Sequence, residues 1–218
     1  MRVDLRDRII CTSISSISSI NEIRTALAIS NEHELKGCLV DSSAYESLKE
    51  EVENTENVYL GINFPYHGLS ESDSLVLLKK HLDNNKKKVI PIISFDKFTI
   101  ANFDITKARN FIKQIKIINT DEVVIAAEMS WFSKVESYDK ICSILEPYSK
   151  VRFALSTFTK KPEKLGEVLK IGKRLGSNGS CSYEYFGALP ANTDGITEMF
   201  ACGFAFVGVP RQMLHYVI

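Results

Sequence analysis

The sequence predicts an α/β chain folded as a (β/α)8 TIM barrel, one domain spanning 1–218, on three observations. First, short apolar runs recur about every 25 residues, each followed by a stretch of helical character. Second, the richest runs, Val58-Tyr-Leu-Gly-Ile-Asn-Phe, Val89-Ile-Pro-Ile-Ile-Ser-Phe and Val123-Val-Ile-Ala-Ala, are nearly continuous in apolar residues. Strands buried on both faces look like this, because helices cover the outer side of a parallel sheet. Third, the 218-residue length suits a minimal barrel of roughly 200–250 residues. Strands that alternate with helices pair in parallel through right-handed crossovers. Eight such units close on themselves and leave no edge.

The expected strands are Arg8–Ser13, Leu35–Asp41, Val58–Pro65, Lys88–Phe95, Glu122–Glu128, Lys150–Thr157, Asn178–Tyr183 and Phe204–Pro210. Pro91 breaks the regularity of the fourth, since proline removes a ladder donor. Ser18-Ser-Ile-Asn opens the first helix, with Leu27 and Ile29 on its apolar face. Ser42–Val52 follows the second strand, and Ser70-Glu-Ser-Asp starts a third helix with Leu75, Leu78 and Leu82 at helical spacing. An early serine and acidic side chains suit a helix N-terminus. Ala108, Phe111, Ile112 and Ile115 mark a helix over Asp104–Ile118 by their 3.6-residue period. Lys134–Leu145 is the next. Lys161–Leu175 opens on Pro162 and stops at Gly176, the usual asymmetry of helix ends. Thr193–Cys202 and Pro210–Val217 are short closing helices.

Lysine plus arginine equals aspartate plus glutamate, at 27 each, so the formal net charge is zero. Such a chain has no long-range field to draw nucleic acid or an anionic membrane, and neither is expected as a partner. Weak colloidal repulsion leaves room for a homo-oligomer. The charged start, Met1-Arg-Val-Asp-Leu-Arg, leads us to expect no signal peptide, and no apolar run approaches the roughly 20 residues of a spanning helix. Five cysteines at scattered spacings read as reduced thiols, which places the protein in the cytoplasm. The four histidines show no ligand spacing, so no metal and no cofactor are expected.

A barrel of this kind carries its chemistry at the C-terminal ends of its strands. Glu128 ends an otherwise apolar strand, where burial raises a carboxyl group toward the general acid/base range. Asp96 and Lys97 follow the fourth strand as its polarising partners. Lys97 is read either as a Schiff-base nucleophile or as a point charge for an anion. Asp41, Asn63, His67, Ser156 and Glu184 complete the expected mouth, His67 as a proton shuttle or a plain loop residue. Thr12, Ser13, Ser42 and Ser43 read first as helix caps. Gly208 and Arg211 make a candidate phosphate site, because barrels bind phosphate after strands seven and eight near a helix N-terminus. The competing reading is an ordinary strand–turn–helix joint. Trp131 reads as a cover for the barrel end or a surface for substrate stacking.

Two stretches resemble the class I aldolase superfamily. Val58-Tyr-Leu-Gly-Ile-Asn-Phe-Pro-Tyr-His-Gly is similar to the Asn-Phe-Pro-His-Gly segment of deoxyribose-phosphate aldolases. Lys88-Val-Ile-Pro-Ile-Ile-Ser-Phe-Asp-Lys-Phe-Thr, with the segments through Ser156, resembles the central strands of type I 3-dehydroquinate dehydratases. The two imply different registers and are alternatives. Both families work through a strand-borne lysine. The comparable strands here read Val123-Val-Ile-Ala-Ala, Phe153-Ala-Leu-Ser-Thr and Ser180-Cys-Ser, with none. The dehydratase histidine falls near Phe95, so no catalytic residue carries over. The expectation is a lyase or isomerase acting on a phosphorylated or carboxylated carbonyl compound, a small-molecule substrate. The alternative is a catalytically degenerate barrel serving as a binding or assembly subunit.

Overall fold

A computed structural model describes residues 4–12, 19–64, 68–84, 89–102, 104–119, 121–132, 136–157, 165–177, 182–187 and 193–218. Strands β1 (Ile9–Thr12), β2 (Gly37–Asp41), β3 (Val58–Ile62), β4 (Ile90–Ser94), β5 (Val123–Glu128), β6 (Val151–Thr157), β7 (Tyr183–Gly187) and β8 (Phe206–Pro210) form a closed barrel. Each is parallel to its sequence neighbour, and β8 closes on β1 through pairs such as Cys11 with Val209. The helices are α1 (Ile20–Glu32), α2 (Lys49–Glu53), α3 (Glu71–Asn84), α4 (Lys97–Ala101), α5 (Ile105–Ile118), α6 (Glu136–Leu145), α7 (Leu165–Ser177) and α8 (Thr193–Ala201).

Local chemistry accounts for the best-formed helices. Ser19 caps α1 by accepting from the Glu22 amide, and the Glu22 carboxylate accepts from the Ser19 amide at 2.7 Å. This reciprocal pair satisfies two backbone donors that a helix start leaves open. Asp104 caps α5 through the Lys107 amide at 2.9 Å, and Ala108, Phe111, Ile112 and Ile115 form its buried face, as the period predicts.

The apolar residues divide into two layers. An outer layer lies between the barrel and its helices, and includes Ile93, Phe95, Ile125, Phe153 and Tyr185. An inner layer fills the barrel with Ile10, Leu39, Tyr59, Ile92, Val124, Ala126, Ala154 and Phe186. Side chains alternate across a strand, so the inner layer sets the parity. Glu128 and Ser156 share it at the upper end of the barrel, and Arg152 and Glu184 share it at the lower end.

Four expectations are corrected. Strand β7 is Tyr183–Gly187 rather than Asn178–Tyr183, because the aromatic run Tyr183, Tyr185, Phe186 supplies the pleated, buried surface that a strand requires. The helix expected over Ser42–Val52 divides into a 3-10 turn, Tyr45–Leu48, and the short α2. Gly176 lies inside α7 instead of ending it; a Cβ there would come within 2.5 Å of the Tyr183 hydroxyl, so packing is what requires the glycine. The last helix is a six-residue 3-10 turn, Arg211–Tyr216. The short α4 was not anticipated. The Lys161-Pro162-Glu163 start lies outside the described residues.

Candidate functional site

The upper end of the barrel gathers Glu128 and Ser156 on adjacent strands, paired in register. Both are fully buried, and the Ser156 hydroxyl donates to Glu128 Oε2 at 2.8 Å. Burial also pushes the Tyr138 and Tyr185 phenols up, and the charge of Glu128 adds to the shift in each. Around this pair stand Thr12 and Ser94, both buried at the ends of their strands. Phe64 turns back into the inner layer and meets Phe186 edge-on, ring centroids 5.7 Å apart. These two rings roof the interior.

Asn63 directs that return. It has a left-handed backbone, φ 55°, and its side chain latches Leu69 by two bonds, Nδ2 to the carbonyl at 3.0 Å and Oδ1 from the amide at 2.7 Å. Asparagine tolerates this conformation better than most residues. The structure therefore gives Asn63 a loop-fixing job, and it shapes the mouth through Phe64. Asp41 ends β2 half-buried and accepts from the Ser43 amide at 2.7 Å and from the Ser43 hydroxyl. His67 lies outside the described residues.

The expected pairing of Asp96 and Lys97 with Glu128 does not form as predicted. Strand β4 ends at Ser94, and Phe95 turns into the outer layer. Asp96 then caps α4 through the Phe98 amide at 2.7 Å and accepts from Lys107 Nζ at 3.0 Å. Glu71 Oε1 accepts from the Asp96 amide and from Thr99 Oγ1. The cluster lines a groove of about 550 Å³ between α3 and α5, outside the barrel. Lys97 is exposed on the first turn of α4.

Glu184 is corrected most clearly. The shift of β7 makes it the second residue of its strand, so it lies near the barrel floor. Its Oε1 is 2.7 Å from Arg152 Nη1, while Arg152 Nε is 3.0 Å from Glu122 Oε1. The guanidinium also donates to the Tyr59 hydroxyl at 3.4 Å and covers the Phe206 ring at 5.1 Å. Burial pushes the Glu184 carboxyl up to about 7, against the opposing pull of Arg152. Arg152 and its pairing with Glu184 escape the sequence reading. The available signal was a lone arginine and a lone glutamate inside otherwise uncharged strands.

Gly208 is mid-strand, and a Cβ there would come within 2.5 Å of the Phe186 ring. The ring that roofs the interior accounts for this glycine without an anion. Arg211 opens the closing 3-10 turn; its Nε is buried and has no hydrogen-bond partner among the described residues. Trp131 packs into the outer layer. Among the described residues no group of histidine, cysteine, aspartate and glutamate is placed to hold a metal, and no helix is long and apolar enough to cross a membrane. None of the eight strands contains a lysine.

No family model and no curated protein matches the sequence. Solved structures do match the fold. The structure titled QR15, an aldolase, superposes with a TM-score of 0.82 at 14% identity, covering 99% of this chain and 95% of that one. A Coccidioides immitis structure assigned as a deoxyribose-phosphate aldolase gives 0.79 at 14% identity, over 94% of this chain and 81% of that one. The deoxyribose phosphate aldolase of Aeropyrum pernix, described as tetrameric, gives 0.74 at 11% identity, over 97% and 88%. The likeness covers the whole architecture, and this chain has the (β/α)8 barrel fold that these structures share.

Proposed function

We propose that the protein is a small-molecule lyase acting on a phosphorylated carbonyl compound at the upper end of the barrel, with Glu128 moving the proton and no imine formed. The observation that carries this reading is the Glu128 carboxylate, withdrawn from water at the C-terminal end of β5 and oriented by the Ser156 hydroxyl. A carboxyl group in such surroundings exchanges its proton with a bound ligand rather than with bulk solvent. The strands hold no lysine to form a Schiff base, so acid–base chemistry remains to them. The unpartnered Arg211 Nε supports an anionic group on the substrate. The aldolase names of the fold neighbours support the class of reaction.

The test is cleavage of 2-deoxyribose 5-phosphate, followed by NMR, with the parent and Glu128→Gln. A positioned acid/base contributes about 10²–10⁴-fold in rate, so turnover should fall by that factor while the thermal midpoint stays near the parent's. A folded Glu128→Gln protein with parental turnover would remove Glu128 from the chemistry. Borohydride should add no mass in the presence of substrate.

A second reading is a binding subunit without catalysis. It is favoured by the same lack of strand lysine and by the aromatic roof of Phe64 and Phe186. Binding of the sugar phosphate without turnover by the parent would select it.

A further inference from the structure

Among the described residues, one fully enclosed serine hydroxyl stands without a partner. Ser94 is 1% exposed, and its Oγ has no hydrogen-bond partner. Ser156 and Thr157, at the corresponding end of β6, are both bonded, to Glu128 and to Tyr185. An orphaned buried hydroxyl is costly, because it gives up water and gains nothing. Its location is informative. Ile90 and Ile92 belong to the inner layer, and alternation along β4 puts Ser94 on the same face, at the C-terminal end of the strand. It pairs in register with Ala126, two residues before Glu128 on the neighbouring strand. Small side chains, Ala126 and Ala154, flank it across the wall, and the cover above the interior is the two rings of Phe64 and Phe186.

We propose that the Ser94 hydroxyl is a ligand contact of the barrel mouth, donating to the carbonyl oxygen of a small carbonyl compound bound beside Glu128. The inference rests on the functional reading above and adds a residue and a substrate feature to it. Glu128 exchanges the proton, Ser156 orients Glu128, and Ser94 recognises the oxygen. A carbonyl oxygen accepts but does not donate, which matches a wall hydroxyl with a free proton. The other end of the molecule, its anionic group, is left to Arg211.

The experiment compares two probes, glycolaldehyde phosphate, which has the carbonyl, and glycerol 3-phosphate, which has only hydroxyls. Ser94→Ala should melt at or above the parental temperature, since an unsatisfied buried polar group is removed. It should bind glycolaldehyde phosphate about 3–10-fold more weakly, the span of one net hydrogen bond, and glycerol 3-phosphate as the parent does. Ser94→Cys, close in size with a poorer donor, should fall between the two and covers a failure of the alanine variant to fold. A lowered melting temperature would show a structural hydroxyl and overturn the inference. So would unchanged binding of the carbonyl probe, or a parent that binds neither probe. If Ser94→Ala behaves as expected while Glu128→Gln keeps its turnover, only the acid–base role fails. If Glu128→Gln is inactive and Ser94→Ala binds as the parent, only the Ser94 contact fails.

Discussion

The barrel interior holds a carboxylate at each end, and the two are treated differently. At the floor, Glu184 meets the Arg152 guanidinium at 2.7 Å, with Glu122 and Tyr59 around the same cation. At the mouth, Glu128 accepts a hydrogen bond from the Ser156 hydroxyl, and Ser94 on the neighbouring strand has a hydroxyl with no partner. A buried charge met by an opposite charge is committed to structure: releasing it leaves the other charge stranded in a low-dielectric interior. The Ser156 hydroxyl is a neutral donor, and a hydrogen bond from it leaves a carboxyl able to gain or lose a proton. Under the proposed function the floor is the stabilising end and the mouth the reactive one, in keeping with the division between the two faces of such barrels.

The largest effect that sharpens this contrast comes from the floor. Arg152→Met removes the partner of a fully buried Glu184 and should cost about 3–5 kcal/mol of stability above pH 7, where the carboxyl is ionised, read by urea unfolding. Turnover per folded molecule should be unchanged. Loss of turnover in the folded fraction would mean that the floor takes part in the chemistry. Glu128→Gln should give the opposite pattern, with rate lost and stability kept.

The next effect is pH dependence. Burial raises the folded Glu184 carboxyl to about 7 from 4.5. The native state therefore holds a proton that the unfolded chain has already released. The stability from this group is fully present below pH 4.5 and is lost as pH rises through about 7. The change is on the order of 3 kcal/mol. Glu184→Gln should flatten the unfolding free energy across this window. A variant whose stability falls as steeply as the parent's would assign the slope to another group.

The smallest effect is at the mouth. Arg211→Ala should lose about 1.5–3 kcal/mol of phosphate affinity, the range for hydrogen bonds to charged groups, with unchanged stability. Calorimetry with inorganic phosphate at low and high salt is the measurement, since a partly exposed site is screened. Equal affinity in the variant would separate Arg211 from the mouth and leave both ends of the barrel without an anion clamp.

Much of the barrel was legible in the chain because parallel strands and their helices write periodic signals. The run at Val58 begins where its strand begins, the expected strands Glu122–Glu128 and Lys150–Thr157 start one residue before β5 and β6, and the apolar stripe of α5 is the one that its spacing predicts. Glu128 and Ser156 were legible for the same reason: a polar residue ending an apolar run stands at the strand's end. Asp96 and Lys97 were misplaced because the run does not show where the chain turns. Phe95 extends the apolar stretch by one residue, yet it belongs to the outer layer. Glu184 was placed at the wrong end because its strand begins at an aromatic run, five residues after the predicted start.

The sequence by itself determined the alternation of strands and helices, the parallel pairing that follows from it, and the positions where polar side chains end apolar runs. These are local properties, set by side-chain period, capping and backbone preference. Only the tertiary structure decided which of those polar side chains meet. Barrel closure brings Arg152 to Glu184 and Tyr59 and fills the space over Gly208 with Phe186. These partners are far apart in the chain, and their meeting depends on register, strand tilt and the packing of a closed interior.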